Sequence, residues 1–208
     1  MSLSLWLSLL GVCLLGAMSP GPSLAVVLNN TVAGGRSAGL VCALSHGLAV
    51  GLYALVTVTG LALLIARSPL LFTGLQLAGA AYLVYLGMRS LRSSGAMPGA
   101  SAASAGARPS SPVRAASSGF LVAFLNPKLA IFMLALFSQF LPAEPSLATH
   151  TLMVATVATT DTLWYALVAL LIATGPVLQR LQRSARLVDK IFGILLIVLG
   201  LSVVLRLL

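Results

Sequence analysis

Charge is what this sequence has least of. Its 208 residues include twelve Lys and Arg and three Asp and Glu, 7% of the chain. A soluble domain carries about 25% charged residues, so this chain cannot cover a water-facing surface. With 59% hydrophobic residues and a mean hydropathy of +1.08, it reads as an integral membrane protein with the lipid bilayer as its solvent. So few acids also leave little room for hydrolytic chemistry. There is no intramembrane Asp pair, no GxSxG and no HExxH, so an enzyme is not expected. The two cysteines, Cys13 and Cys42, lie in apolar segments without CxxC or metal-ligand spacing and read as small core residues. No metal or other cofactor is implied. The net charge of +9 comes from basic residues between apolar runs, which the positive-inside rule explains without a nucleic-acid partner.

What is present is apolar length. Six segments, 3–30, 38–66, 69–88, 119–141, 148–175 and 188–207, reach about the 20 residues that a spanning helix needs. They lack the alternation of barrel strands, so an all-α fold is expected. Residues 1–19 resemble a signal peptide, but they carry no Lys or Arg and the apolar run resumes at Leu24, so no cleavage is expected. Short connections around Arg36 and Arg67 predict antiparallel hairpins. Residues 93–118, "SSGAMPGASAASAGARPSSPVRAASS", are rich in Ser, Ala, Gly and Pro. They read as a flexible cytoplasmic linker between a first half, 1–92, and a second half, 119–208. Nine basic residues fall in the first, third and fifth connections and two, Arg67 and Arg206, on the opposite side. That asymmetry places both termini outside.

The halves echo one another. "PSLAVV" at 22–27 aligns with "PKLAIF" at 127–132, and "GAAYLVYLG" at 79–87 with "GILLIVLG" at 193–200. Three spans per half make the halves point oppositely, so the expected fold is two inverted three-helix repeats in a single transporter-like domain. Spans one and four are each interrupted, by SPGP at 19–22 and by NPK at 126–128. At 1.5 Å per residue, Pro20, Pro22 and Pro127 all lie about 12–15 Å from the inner ends of their spans, near the middle of the bilayer. Pro20 and Pro22 have no N–H to return to the carbonyls of Gly16 and Met18, and in hydrocarbon such a loss is costly.

The polar residues within the spans are few. Asp161 is the one acid inside a span, whereas Glu144 and Asp189 read as loop or helix-end residues. Intramembrane ionisable groups are functional candidates, and a buried carboxylate can load and unload a proton as its surroundings change. Asp161 has a simpler reading as the fixed ion-pair partner of Lys128, and Lys128 one as a chain that snorkels toward the cytoplasm. His46 is either a buried polar contact or a proton relay. The small residues Gly39, Ala43, Gly47 and Gly51 in span two allow close helix packing, within one chain or between two copies in a homodimer. Trp164 and Tyr165, one turn from Asp161, read as core residues or pocket walls.

SPGP in span one, NPK in span four, GAAYLVYLG in span three and the acid in span five together resemble the LysE/RhtB family of bacterial amino-acid exporters. The resemblance covers essentially the whole chain. It implies export of amino acids or related small metabolites across the bacterial inner membrane, driven by protons. Its motif residues here are Ser19, Pro20, Gly21, Pro22, Asn126, Pro127 and Lys128, with Asp161 at the acidic position of span five. The broken helices then have a purpose. A substrate carboxylate would meet the N–H groups after Pro22 or Pro127, with Lys128 nearby. Its ammonium group would meet Asp161 or the carbonyls of Gly16, Met18 or Ala123, and protons at Asp161, relayed by His46, would drive release. A channel, a structural membrane protein and an intramembrane thiol-disulfide carrier are the rivals. The last needs Cys13 and Cys42 to meet, yet span positions separate them by about 20 Å in depth.

Overall fold

Two prolines separated by one glycine fix where the first helix must stop. In the computed structural model, which describes residues 1–93, 111–142, 146–171 and 175–207, helix α1 (Leu3–Met18) ends at that point. Helix α2 (Pro22–Arg67) starts on the second proline. There follow α3 (Pro69–Leu91), α4 (Pro112–Phe124), α5 (Pro127–Phe140), α6 (Leu147–Leu171) and α7 (Gly175–Leu207). The described residues form helices and no strands. Four helical stretches are long and apolar enough to cross a membrane: α2, α3, α6 and residues 183–205 of α7. The pair α4 and α5, bent by 55° at Leu125 and Asn126, makes a fifth if it counts as one span, and α1 is a shorter apolar helix.

Helix α2 runs for 46 residues, about 69 Å at 1.5 Å per residue and twice the hydrocarbon core. It is not one rod. Gly35 has φ 75° and ψ −175°, a conformation that L side chains rarely adopt, so the connection read around Arg36 is this one non-helical residue. Nothing lies within 4 Å of where its Cβ would be, so the backbone angle alone calls for glycine. At Arg67 the turn is equally short: Ser68 is extended and Pro69 begins α3.

The linker reading needs a correction at its C-terminal end. Ser111 caps α4 through its hydroxyl and Pro112 takes the first helical position, so residues 112–118 are helical. Gly119 then lets α4 approach the Cys42 backbone carbonyl of α2 too closely for any side chain. The rest of that reading, 94–110, and Glu144 lie outside the described residues.

Small residues set the remaining contacts. The stripe in α2 is used within the chain, since a Cβ at Gly39, Gly47 or Gly51 would press on Ala169, Thr162 or Ala158 of α6. Helices α3 and α7 touch backbone to backbone. A Cβ on Gly87 would lie 2.6 Å from the Gly193 carbonyl, one on Gly193 2.7 Å from the Gly87 carbonyl, and one on Gly200 2.7 Å from the Ala80 carbonyl. Two apolar clusters fill the interior. The larger joins Leu9, Val50, Leu136, Phe137, Met153 and Leu196, and the smaller gathers Leu24, Val27, Cys42 and Tyr165. Between the helix breaks the packing leaves a cavity.

Candidate functional site

Both helix breaks open on this cavity, which encloses about 120 Å³. Against roughly 10–15 Å³ for one water, that is room for a small solute. Ser19, Pro20, Gly21, Pro22, His46, Asn126, Lys128 and Asp161 line it, with Cys13, Leu86, Phe132, Met133, Val157 and Phe192 among its apolar walls. Pro127 is exposed and does not line it, so its part is to start α5. Residues 142 positions apart in sequence, Ser19 and Asp161, thus face one space because α1 packs on α6.

The two breaks differ in what they leave unsatisfied. In α5 the side chain of Asn126 accepts from the N–H groups of Lys128 at 3.1 Å and Leu129 at 3.3 Å. The Ala123 carbonyl, expected to be free, accepts from the Asn126 N–H at 3.2 Å, and the Phe124 carbonyl accepts from the Tyr53 hydroxyl at 2.6 Å. That break is closed by protein groups, its own Asn126 and Tyr53 of α2. At the start of α2 no side chain caps the helix, because Gly21 has none and Pro22 brings no N–H. The nearby Ser19 hydroxyl is engaged elsewhere, donating to Asp189 Oδ1 at 2.7 Å. The first break therefore presents uncapped amides, and so a partial positive charge, to the cavity.

The cavity is also lined by a buried histidine–carboxylate contact. His46 Nδ1 is 2.7 Å from Asp161 Oδ2, joining α2 to α6. His46 is 1% exposed, and Tyr165 packs edge-on against it at 4.9 Å. The partner of Asp161 is therefore His46 and not Lys128, which makes no ion pair among the described residues and has its side chain exposed at the cavity rim. His46 Nε2, also buried, has no hydrogen-bond partner.

Asp189 corrects another reading. It is no loop residue but lies within α7, 3% exposed, where its carboxylate accepts from Ser19 and its backbone carbonyl from the Ser90 hydroxyl at 2.7 Å. A run of Arg and Lys around it in sequence made it look like part of a solvated helix end; the serine at the SPGP break was the available signal. The two cysteines are both free and buried, Cys13 on the cavity and Cys42 in the other apolar cluster.

The family model described as LysE type translocator matches residues 14–207. A homoserine/homoserine lactone efflux protein of Salmonella typhi is 30% identical over 209 residues, covering 96% of each chain. A threonine efflux protein of Escherichia coli (strain K12) is 26% identical over 202 residues, covering 97% of this chain and 98% of the other. An uncharacterized membrane protein of Bacillus subtilis (strain 168) is 29% identical over 191 residues, covering 88% and 90%. No solved structure matches the chain.

The pairing of Asp161 with His46 predicts a pattern of stability. His46→Leu leaves a buried carboxylate alone and should lower the unfolding free energy by about 3–5 kcal/mol. Adding Asp161→Asn should recover most of that loss, and adding Lys128→Met should recover none, as measured by unfolding in detergent micelles. Rescue by Lys128→Met would make Lys128 the partner instead.

Proposed function

We propose that this chain, which belongs to the family of LysE type translocators, is a secondary exporter of small amino acids or related metabolites that works by proton antiport in the bacterial inner membrane. The relatives named for homoserine and threonine efflux support the substrate class. The observation that carries the mechanism is the unequal state of the two breaks. Only the first offers free amides to a carboxylate, so the substrate carboxylate binds at the N–H groups of Ser23 and Leu24, with Lys128 adding positive charge at the rim. The ammonium group meets the Asp161 carboxylate and the Gly16 and Met18 carbonyls, which Pro20 and Pro22 cannot engage. The Ala123 carbonyl drops out of this set, because its own helix break already uses it. A proton arriving at the His46–Asp161 pair from outside weakens the hold on the ammonium group and releases substrate there. Its loss to the cytoplasm restores the site.

Alternating access follows if the six spans form two inverted repeats, with α1 and the first part of α2 as span one and α4 with α5 as span four. The α3–α7 contacts support this. Moving 113 positions along the chain takes Gly87 to Gly200 and Ala80 to Gly193, so the Gly87–Gly193 contact and the Ala80–Gly200 contact exchange with one another. The leading half of each interrupted span also packs on the middle helix of the other repeat, α1 on α6 and α4 on α2.

Two experiments test the reading. Asp161→Asn keeps an acceptor for His46 but resembles the permanently protonated carboxyl. It should fold normally, lose export against a concentration gradient, and retain exchange of substrate between equal concentrations. Uphill export by this variant, driven by a pH gradient as in the parent, would remove Asp161 from coupling. Passage of solute through the parent without any response to an imposed pH gradient would mark a channel.

Orientation is tested separately. Cysteines placed at positions 2 and 208 should both react with an impermeant thiol reagent in intact cells. Labelling of both only after permeabilisation would reverse the topology.

A further inference from the structure

Asp189 is a buried acid that the export cycle above leaves without a task. It makes no ion pair among the described residues and accepts from the Ser19 hydroxyl at the first break. Its backbone carbonyl accepts from Ser90 near the end of α3, which fixes its depth. Asp189 does not line the cavity itself, but Phe192, one turn further along α7, does. Fourteen residues back along α3 from Ser90, about 21 Å at 1.5 Å per residue, a second set of polar contacts joins α3 to α5. Gln76 Nε2 donates to the Ser138 carbonyl at 2.8 Å, and Gln139 Nε2 donates to the Gln76 carbonyl at 3.0 Å. Gly79 admits them: a Cβ there would lie 3.0 Å from Ser138 Oγ and 3.1 Å from Gln139 Nε2. On α5 the cavity-lining residues end at Met133, more than a turn before Ser138. The cavity therefore lies between the two sets of contacts.

We propose that Asp189 and Gln76 are paired positioning residues of the export cycle, each holding the interrupted span of the other half closed on its own side of the cavity. This rests on the export reading above and deepens it. Each contact joins a third span to an interrupted span across the halves. Asp189 of the second half holds Ser19 of the first, and Gln76 of the first half holds Ser138 of the second. The 113-position step that exchanges the two α3–α7 glycine contacts also takes Gln76 to Asp189. The two residues thus stand at equivalent places in oppositely directed halves, on opposite sides of the midplane. Both contacts are made in this structure, so the cavity is held on both sides. Opening toward one side breaks that side's contact, and the contact kept on the other side prevents a continuous pore. With both termini outside, Asp189 closes the cytoplasmic side and Gln76 the outer one.

The test uses Cys13, which lines the cavity, as a reporter in the full-length protein, with the other cysteine removed by Cys42→Ser. A membrane-impermeant maleimide is applied without substrate, to intact cells from the outside and to inverted membrane vesicles from the cytoplasmic face. The parent should react slowly from both. Asp189→Ala should raise the rate from the cytoplasmic face alone, and Gln76→Ala from the outside alone. Each rise should be roughly three- to tenfold, the shift that one lost hydrogen bond gives a two-state equilibrium. Ser19→Ala removes the Asp189 bond from its other end and should give the same one-sided rise. Asp189→Asn keeps an acceptor for Ser19 and should react as the parent does. One-sided rises with the two faces exchanged would uphold the pairing and reverse the topology. A rise from both faces, from the same face in the two alanine variants, or from neither would overturn the assignment. So would an Asp189→Asn variant as reactive as Asp189→Ala. The labelling needs no transport, so its failure is distinct from that of the export reading, which would show as a parent unable to exchange any amino acid.

Discussion

Hydrocarbon supplies no hydrogen bonds, so a helix broken inside it must find partners for its own loose ends. This constraint orders the rest of the molecule. At the second break the chain finds them locally: Asn126 caps the helix it precedes, and its N–H closes the Ala123 carbonyl. At the first break it does not. Pro20 and Pro22 remove two donors, Gly21 supplies no cap, and Ser19 turns away to Asp189. The uncapped amides of the first break lie beside a cavity, and on the proposed reading a zwitterion supplies the charges that both ends of the break lack. The unequal breaks would then turn a backbone cost into a binding site.

Asp161 is held by His46, and Asp189 by the Ser19 hydroxyl, so each buried acid has a partner from another helix. Both partnerships bear on the SPGP break, one lining the same cavity and one within it. In the proposed transport cycle, movement of the break would involve the protonation of one acid and the hydrogen bond of the other. The close glycine contacts of α3 on α7 and α2 on α6 provide rigid elements for such a break to move against.

Much of this was legible in the sequence, and what was not has a physical reason. The apolar runs and prolines marked the helices and both breaks, because proline acts on the backbone wherever it stands. Eight of the nine site residues read from the sequence line one cavity. Pairing was harder. Lys128 was the nearest charge by depth to Asp161, yet the histidine 115 residues away took the contact, since the small residues of α2 bring it against α6. Asp189 was hidden by the basic residues flanking it, which made a buried carboxylate look solvated. The start of α4 was masked by a Ser- and Ala-rich composition that serves a linker and a tightly packed helix equally well. The inequality of the two breaks depends on which hydrogen bonds close, and no motif spells that out.

The central claim is that substrate and proton compete for the site between the first break and the His46–Asp161 pair. Competition of this kind is reciprocal, so substrate binding must expel protons. The most direct measurement adds threonine to the purified protein in weakly buffered, mildly acidic detergent solution and follows the pH. The account predicts release of about one proton per substrate bound, and no release from Asp161→Asn even where it binds. Binding by the parent without a pH change would contradict it.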